Sequence, residues 1–326
     1  MSKDNYKECI DNIKFKKIKK TGTLKEYFVQ SSFASYSTTG DNYSTSSIET
    51  LIKNLNLGCR LIHLDVNWIM KDNKRIPIVV NSNVDYLKFD NNYILFEECC
   101  KIIAEYGFNC KNKAEYPLIL YLNLIYESKY LDVSNRISES ITKYLRDYLL
   151  PIKYAYGNEN LVNLNLSELT FTKGEIDLGH VIIIKNYYNN TPDKNNNDEE
   201  KKRIDSTNLE ELTNGYLKIL DSPTDVKDKD TLVGFIFNDN FNKYININVY
   251  NLNLEILKDK LVFLIPRLNN GKVNIKENLY NFNILELFHN NNIINFIMNQ
   301  YVSENDNLKI QDDLNLYNGE LFKLTT

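Results

Sequence analysis

The chain has 326 residues, of which 43% are hydrophobic, so it can bury the core of one large domain and wholesale disorder is excluded. A net charge of -4 excludes a general attraction to nucleic acid or to anionic membranes. Five cysteines (Cys9, Cys59, Cys99, Cys100 and Cys110) without a CxxC pair suit neither a disulfide framework nor a structural zinc site, and are expected as reduced thiols.

The first residues are polar and charged, and residues 1–24 read as a basic N-terminal segment. Its run from Lys14 to Lys20 is expected to be solvated, with weak contact to an anionic membrane surface as the alternative. Nothing there resembles a signal peptide, and no apolar run reaches the roughly 20 residues needed to cross a bilayer. The protein is therefore expected to be neither secreted nor transmembrane, but cytoplasmic or virion-associated. The abundance of Asn, Lys, Ile, Tyr and Asp follows AT-rich codons, as in some protists and large DNA viruses.

In chain order, short apolar runs predict strands at Tyr27–Phe33, Arg60–Val66, Ile76–Val80, Pro117–Leu124, His180–Lys185, Leu232–Phe237, Leu261–Pro266 and Ile294–Val302. Helical spacing appears at Ser46–Leu57, Ile94–Tyr106 and Ser134–Leu149. Near-continuous apolar strands alternating with helices indicate a parallel sheet covered on both faces, and eight of them predict a closed (β/α)8 barrel. Tyr188–Thr207 has almost no apolar content and reads as a flexible polar linker that can be shortened with little loss of stability. It separates two half barrels, 25–187 and 208–326.

The stretch from Tyr27 to Tyr36, Tyr-Phe-Val-Gln-Ser-Ser-Phe-Ala-Ser-Tyr, resembles the opening of the X region of phosphoinositide-specific phospholipase C, Tyr-Phe-x-x-Ser-Ser-His-Asn-Thr-Tyr. The resemblance continues through Thr39-Gly40-Asp41, Ser46-Ser47-Ile48-Glu49 and Gly58-Cys59-Arg60-Leu61-Ile62-His63-Leu64-Asp65, where the family has Gly-Cys-Arg-x-x-Glu-Leu-Asp. The last third is similar to a worn Y region: Leu264-Ile265-Pro266 falls at the Arg-Ile-Tyr-Pro strand and Met298-Asn299 in the Val-Ala-Leu-Asn strand. The resemblance covers about residues 25 to 326, and the family's accessory modules are not visible beside it. It implies a (β/α)8 barrel of the phospholipase C-like phosphodiesterase superfamily.

The resemblance also implies a chemistry that can be checked position by position. The family cleaves a phosphodiester with an acid–base pair and a calcium ion. Its first catalytic histidine falls at Phe33 and its second at Asn81. The calcium-ligand positions fall at Ala34, His63, Asp65 and Asn123, and of these only Asp65 keeps a carboxylate. The phosphate-binding lysine is kept at Lys185, but its basic partner is Tyr187. The headgroup Arg and Tyr positions are Phe263 and Ile265. His180 and His289, the remaining histidines, read as structural.

No catalytic residue, no metal and no cofactor are therefore expected. The reading is a pseudoenzyme in a binding, scaffold or virion-structural role, with a protein partner or assembly and no nucleic acid. Two alternatives stay open. One is a calcium-independent phosphodiester or phospholipid hydrolase built on His63 and Asp65, which share one face of a strand. The other is a non-catalytic binder of anionic lipid headgroups through Lys185 and the basic run.

Overall fold

A computed structural model of the chain describes residues 22–38, 45–80, 92–108, 116–126, 129–151, 154–155, 180–186, 208–220, 225–227, 232–237, 257–266, 268–269, 272–273, 296–299 and 322–324. The expected basic segment, apart from its last three residues, and the expected linker at 188–207 lie outside the described residues, as do Asn81, Tyr187 and His289.

Eight strands pair in parallel around a ring: β1 (Tyr27–Ser32), β2 (Leu61–Lys71), β5 (Leu118–Leu124), β6 (Val181–Asn186), β7 (Gly215–Leu220), β8 (Leu232–Phe237), β9 (Leu261–Pro266) and β12 (Phe296–Asn299). The ring closes because β1 pairs on one side with β12, Ser31 opposite Met298, and on the other with β2, Ser31 opposite Leu61. The remaining pairings in the ring are all parallel as well. This is the (β/α)8 barrel expected from the sequence.

Two segments correct the expected strand list. Ile76–Val80 does not join the barrel: it overlaps β3 (Lys74–Val79), which folds back antiparallel onto β2. The turn between them is two residues long, and Asp72 and Asn73 both have left-handed φ, 50° and 58°, as the tight hairpin geometry requires. β4 (Ile94–Leu95) then pairs with β3. The missing barrel strand is β7, Gly-Tyr-Leu-Lys-Ile-Leu, whose glycine, lysine and half-buried positions hide the apolar run that marks its neighbours. Four further short strands complete the described set: β10 (Leu268–Asn269) paired with β11 (Lys272–Val273), β13 (Phe322–Leu324) antiparallel to β1, and β4 itself.

The strand pleat separates two cores. Val29, Leu61, Ile119, Tyr121, Ile182, Ile184, Leu217, Leu261, Phe263 and Ile265 point into the barrel and pack together. The alternate residues Ile62, Leu64, Leu118, Leu120, Leu122, Val181 and Ile183 point outward into a second cluster with the helices. The helices are α1 (Ile48–Asn56), α2 (Phe96–Gly107), α3 (Leu131–Leu145) and the short α4 (Asn208–Leu212). Val133, Ile137, Ile141 and Leu145 recur every fourth residue and give α3 its buried stripe. Ser47 caps α1 by accepting from the Thr50 N–H at 3.3 Å. Cys59, Cys99 and Cys100 are buried in the outer core and form no disulfide.

One buried cation ties strands and helices together. Arg60, fully buried just before β2, donates from Nε to the Pro117 carbonyl (3.1 Å), from Nη1 to the Gly107 carbonyl (2.7 Å) and from Nη2 to the Tyr116 carbonyl (2.7 Å). It thereby joins β2, the carbonyl end of α2 and the lead into β5, with the Phe108 ring 5.3 Å from the guanidinium carbon. Burial pulls its pKa down to about 9, which still leaves the guanidinium charged at neutral pH.

Removing this group strands three carbonyls in a dry interior. Arg60→Met is expected to cost about 3 kcal/mol or more, and Arg60→Lys to recover only a minor part, because an ammonium cannot serve three divergent acceptors from one plane. Urea unfolding of the three proteins checks this; equal midpoints for wild type and Arg60→Met would show that the carbonyls find other donors.

Candidate functional site

The carboxyl ends of β1, β2 and β5 bring the family-derived positions together. His63 lies abreast of Tyr121, and Asp65 abreast of Asn123, one interior layer higher. All four side chains have the inward parity of Leu61 and Ile119. Directly after β1 the chain turns through Phe33 and Ala34, and Ala34 has φ 43°. A left-handed alanine is uncommon, and here it aims its own N–H at the Nδ1 of His63, 3.0 Å away.

That single bond fixes the imidazole. Nδ1 accepts, so the proton of the neutral ring sits on Nε2, which faces Oδ1 of Asp65 at 3.6 Å. The backbone of His63 is held as well: its N–H donates to Ser35 Oγ (2.9 Å), and its carbonyl accepts from the Ser35 N–H (3.1 Å). Asn54 of α1 reaches across to the Ser35 carbonyl at 2.8 Å. Burial pushes the His63 pKa below its ordinary value, against an opposing pull from Asp65.

His63 is also the middle of an aromatic stack. The Phe33 ring lies parallel to it at 4.7 Å between centroids, tilted by 7°, and the Tyr121 ring lies on it at 4.9 Å, tilted by 35°. The position that the family resemblance gives to a proton-donating imidazole thus carries a phenyl ring lying on another ring.

Asp65, 4% exposed, is satisfied by neutral donors. The Tyr36 hydroxyl donates to Oδ2 at 2.7 Å, with the Val80 carbonyl as a second acceptor at 3.0 Å, and the Asn123 amide donates to Oδ1. Burial, and then the charge of Asp65, push the Tyr36 phenol far above its ordinary pKa, so it remains a donor. Tyr36 and Tyr121 were not singled out as site residues in the sequence. The signal was there for both: Tyr36 ends the best-matched motif, and Tyr121 lies two residues before Asn123 on the same face of one strand.

Calcium takes six or more oxygens at about 2.3–2.6 Å. The converging positions supply one carboxylate whose oxygens already accept hydrogen bonds, one imidazole whose Nδ1 is occupied, one carboxamide and a methyl group. Three of the groups that face the centre do so through N–H or O–H. This donor set does not fit calcium. Among the described residues, no group of three or more His, Cys, Asp or Glu side chains could hold a metal ion.

Lys185 departs from the expected cluster. It has the parity of Val181 and Ile183, which pack against the helices, and so lies on the outer side of the barrel wall. Its amine is 5% exposed as a residue, pairs with Glu210 of α4 and sits 5.1 Å from the centre of the Tyr216 ring. Phe263 and Ile265 do point inward, but into the apolar core.

A buried ion pair that loses one member leaves the other charge stranded. Glu210→Gln is therefore expected to destabilise the protein by about 3 kcal/mol, whereas Lys185→Met combined with Glu210→Leu should regain most of that. Chemical denaturation of both variants checks it; a fully stable Glu210→Gln would show that the Lys185–Glu210 pair contributes little to stability.

Residues 21–169 match the family described as phosphatidylinositol-specific phospholipase C, X domain. A zebrafish (Danio rerio) protein, 1-phosphatidylinositol 4,5-bisphosphate phosphodiesterase delta-3-A, is 36% identical over 99 residues, which are 30% of this chain and 11% of the zebrafish protein. Among solved structures, S. officinalis PLC21 superposes with a TM-score of 0.62 at 17% identity, covering 95% of this chain and 38% of that one. A calcium-dependent phosphoinositol-specific phospholipase C from Pseudomonas sp. superposes with a TM-score of 0.53 at 8% identity, covering 87% of this chain and 92% of that one. At these identities the structural matches establish the fold, and the chain spans well under half of its first relatives' length. The sequence matches carry the likeness: residues 21–169 are similar to the X domain of phosphatidylinositol-specific phospholipase C, and the chain shares the barrel fold of such enzymes.

Proposed function

We propose that this barrel is catalytically inactive and serves as a binding or scaffold protein for a protein partner or an assembly. The observation that carries the proposal is the Phe33–His63–Tyr121 stack at the carboxyl end of the barrel. Phospholipid cleavage of this family's kind needs a positioned base and acid, and a cation to meet the charge on phosphate. Phe33 offers no titratable group, and the Nδ1 of His63 is committed to a backbone N–H. Losing one acid–base group commonly costs about 10²–10⁴ in rate, and here the first histidine and three of the four metal-ligand positions are replaced together.

A second reading has one observation in its favour. His63 and Asp65 form a buried imidazole–carboxylate pair, with Nε2 and Oδ1 3.6 Å apart, an arrangement that serine hydrolases use to hold a general base. Against it, a base of that type must take a proton on the nitrogen away from the carboxylate, and that nitrogen faces the Ala34 N–H.

One assay separates the two. Vesicles containing phosphatidylinositol or its phosphorylated forms, with and without calcium, are expected to yield no soluble inositol phosphate. Phe33→His combined with Asn81→His should not restore release, because Ala34 and His63 bring no side-chain oxygen and Asn123 brings a neutral carboxamide where the family has a carboxylate. Wild-type turnover that disappears in Asp65→Ala would overturn the proposal in favour of the hydrolase reading, whereas trace turnover unchanged in Asp65→Ala marks a contaminant.

A further inference from the structure

The four positions that the family resemblance gives to calcium do converge, yet the polarity of the site is reversed. A cation site presents oxygens to its centre. Here Tyr36 O–H and Asn123 N–H point at the two oxygens of Asp65, and His63 Nε2–H faces Oδ1 from 3.6 Å. The Ala34 N–H stands behind the imidazole and holds it in that tautomer. The anion is central and the donors surround it.

Each donor belongs to a different piece of the barrel mouth. Tyr36 comes from the loop after β1, His63 from β2 and Asn123 from β5. Val80, the residue after β3, is drawn in twice: its carbonyl lies 3.0 Å from the Tyr36 hydroxyl, and its N–H donates to the Asp65 carbonyl at 3.2 Å. Asp65 therefore cross-links four segments, which is what a bound metal ion does for the loops that ligate it.

We infer that Tyr36, Asn123 and His63 stand in for the metal, forming a lock of neutral donors on the Asp65 carboxylate that assembles the mouth of the barrel without a cation. The inference deepens the proposed non-catalytic reading by giving the retained carboxylate a task. It has a distinctive consequence. Deleting the carboxylate leaves a cavity lined by unpaired donors, which is a receptor for a small carboxylate rather than for calcium.

Thermal unfolding reads this directly. The wild-type midpoint is expected to be unmoved by calcium chloride relative to magnesium chloride. Asp65→Ala should unfold at a lower temperature, and sodium formate should raise its midpoint saturably, while sodium gluconate, too large for the cavity, should not. Formate should leave the wild type unchanged, and its effect on Asp65→Ala should fall when Tyr36→Phe is added. Tyr36→Phe alone, which keeps the charge and loses one donor, should lower the midpoint equally with and without calcium. It serves as the test if Asp65→Ala does not fold. Saturable stabilisation of the wild type by calcium, or a folded Asp65→Ala indifferent to formate, or a Tyr36→Phe protein as stable as wild type, would each overturn the inference. None of these readouts depends on turnover, so failure here and failure of the inactive reading are told apart.

Discussion

A carboxylate sealed from water must be met by a cation or by hydrogen-bond donors, and the way this barrel meets that demand at Asp65 organises its mouth. The loop after β1 turns left-handed at Ala34, a costly conformation for alanine, and in doing so delivers an N–H to His63 and the Tyr36 hydroxyl to Asp65. Asn123 reaches the other carboxylate oxygen from the neighbouring strand. The aromatic stack follows from the same turn, which lays Phe33 flat on the imidazole it has fixed. Local strain, a buried charge and ring packing are thus parts of one arrangement rather than separate features.

The opposite end of the barrel solves the inverse problem. Arg60 is a buried cation met by three backbone carbonyls and an aromatic face. These two buried charges sit in the stretch Gly58 to Asp65, leading into and along β2, where the resemblance to the phospholipase C X region runs almost residue for residue. Lys185 with Glu210 adds a third buried charge, paired directly, between β6 and α4. Three charged side chains are therefore neutralised in three ways: by neutral donors, by carbonyl dipoles and by a counter-ion.

Much of the fold was legible because parallel barrel strands are buried on both faces and read as apolar runs, as Ile182-Ile183-Ile184 and Leu118-Ile119-Leu120 do. The same signal misled at Ile76–Val80, where β-branched residues belong to a hairpin and not to the ring. It was silent at Gly215–Leu220, whose outward residues meet partial solvent. At the site, sequence register placed Phe33, Ala34, His63, Asp65 and Asn123 correctly as neighbours. It put Lys185 among them because adjacency along a strand end does not reveal which side of the wall a residue faces; one step of the pleat decides that. Tyr36 and Tyr121 escaped notice because tyrosine carries no expectation of chemistry until a buried anion or a stacked ring is found beside it.

The claim on which the rest stands is that His63 is a donor toward Asp65, fixed by the Ala34 N–H, in a site closed to cations. Nitrogen NMR of the His63 ring measures this directly. An unprotonated Nδ1 and a protonated Nε2 are expected near neutral pH, with both resonances unchanged on addition of calcium. A protonated Nδ1 with Nε2 free, or resonances that move as calcium is added, would contradict it.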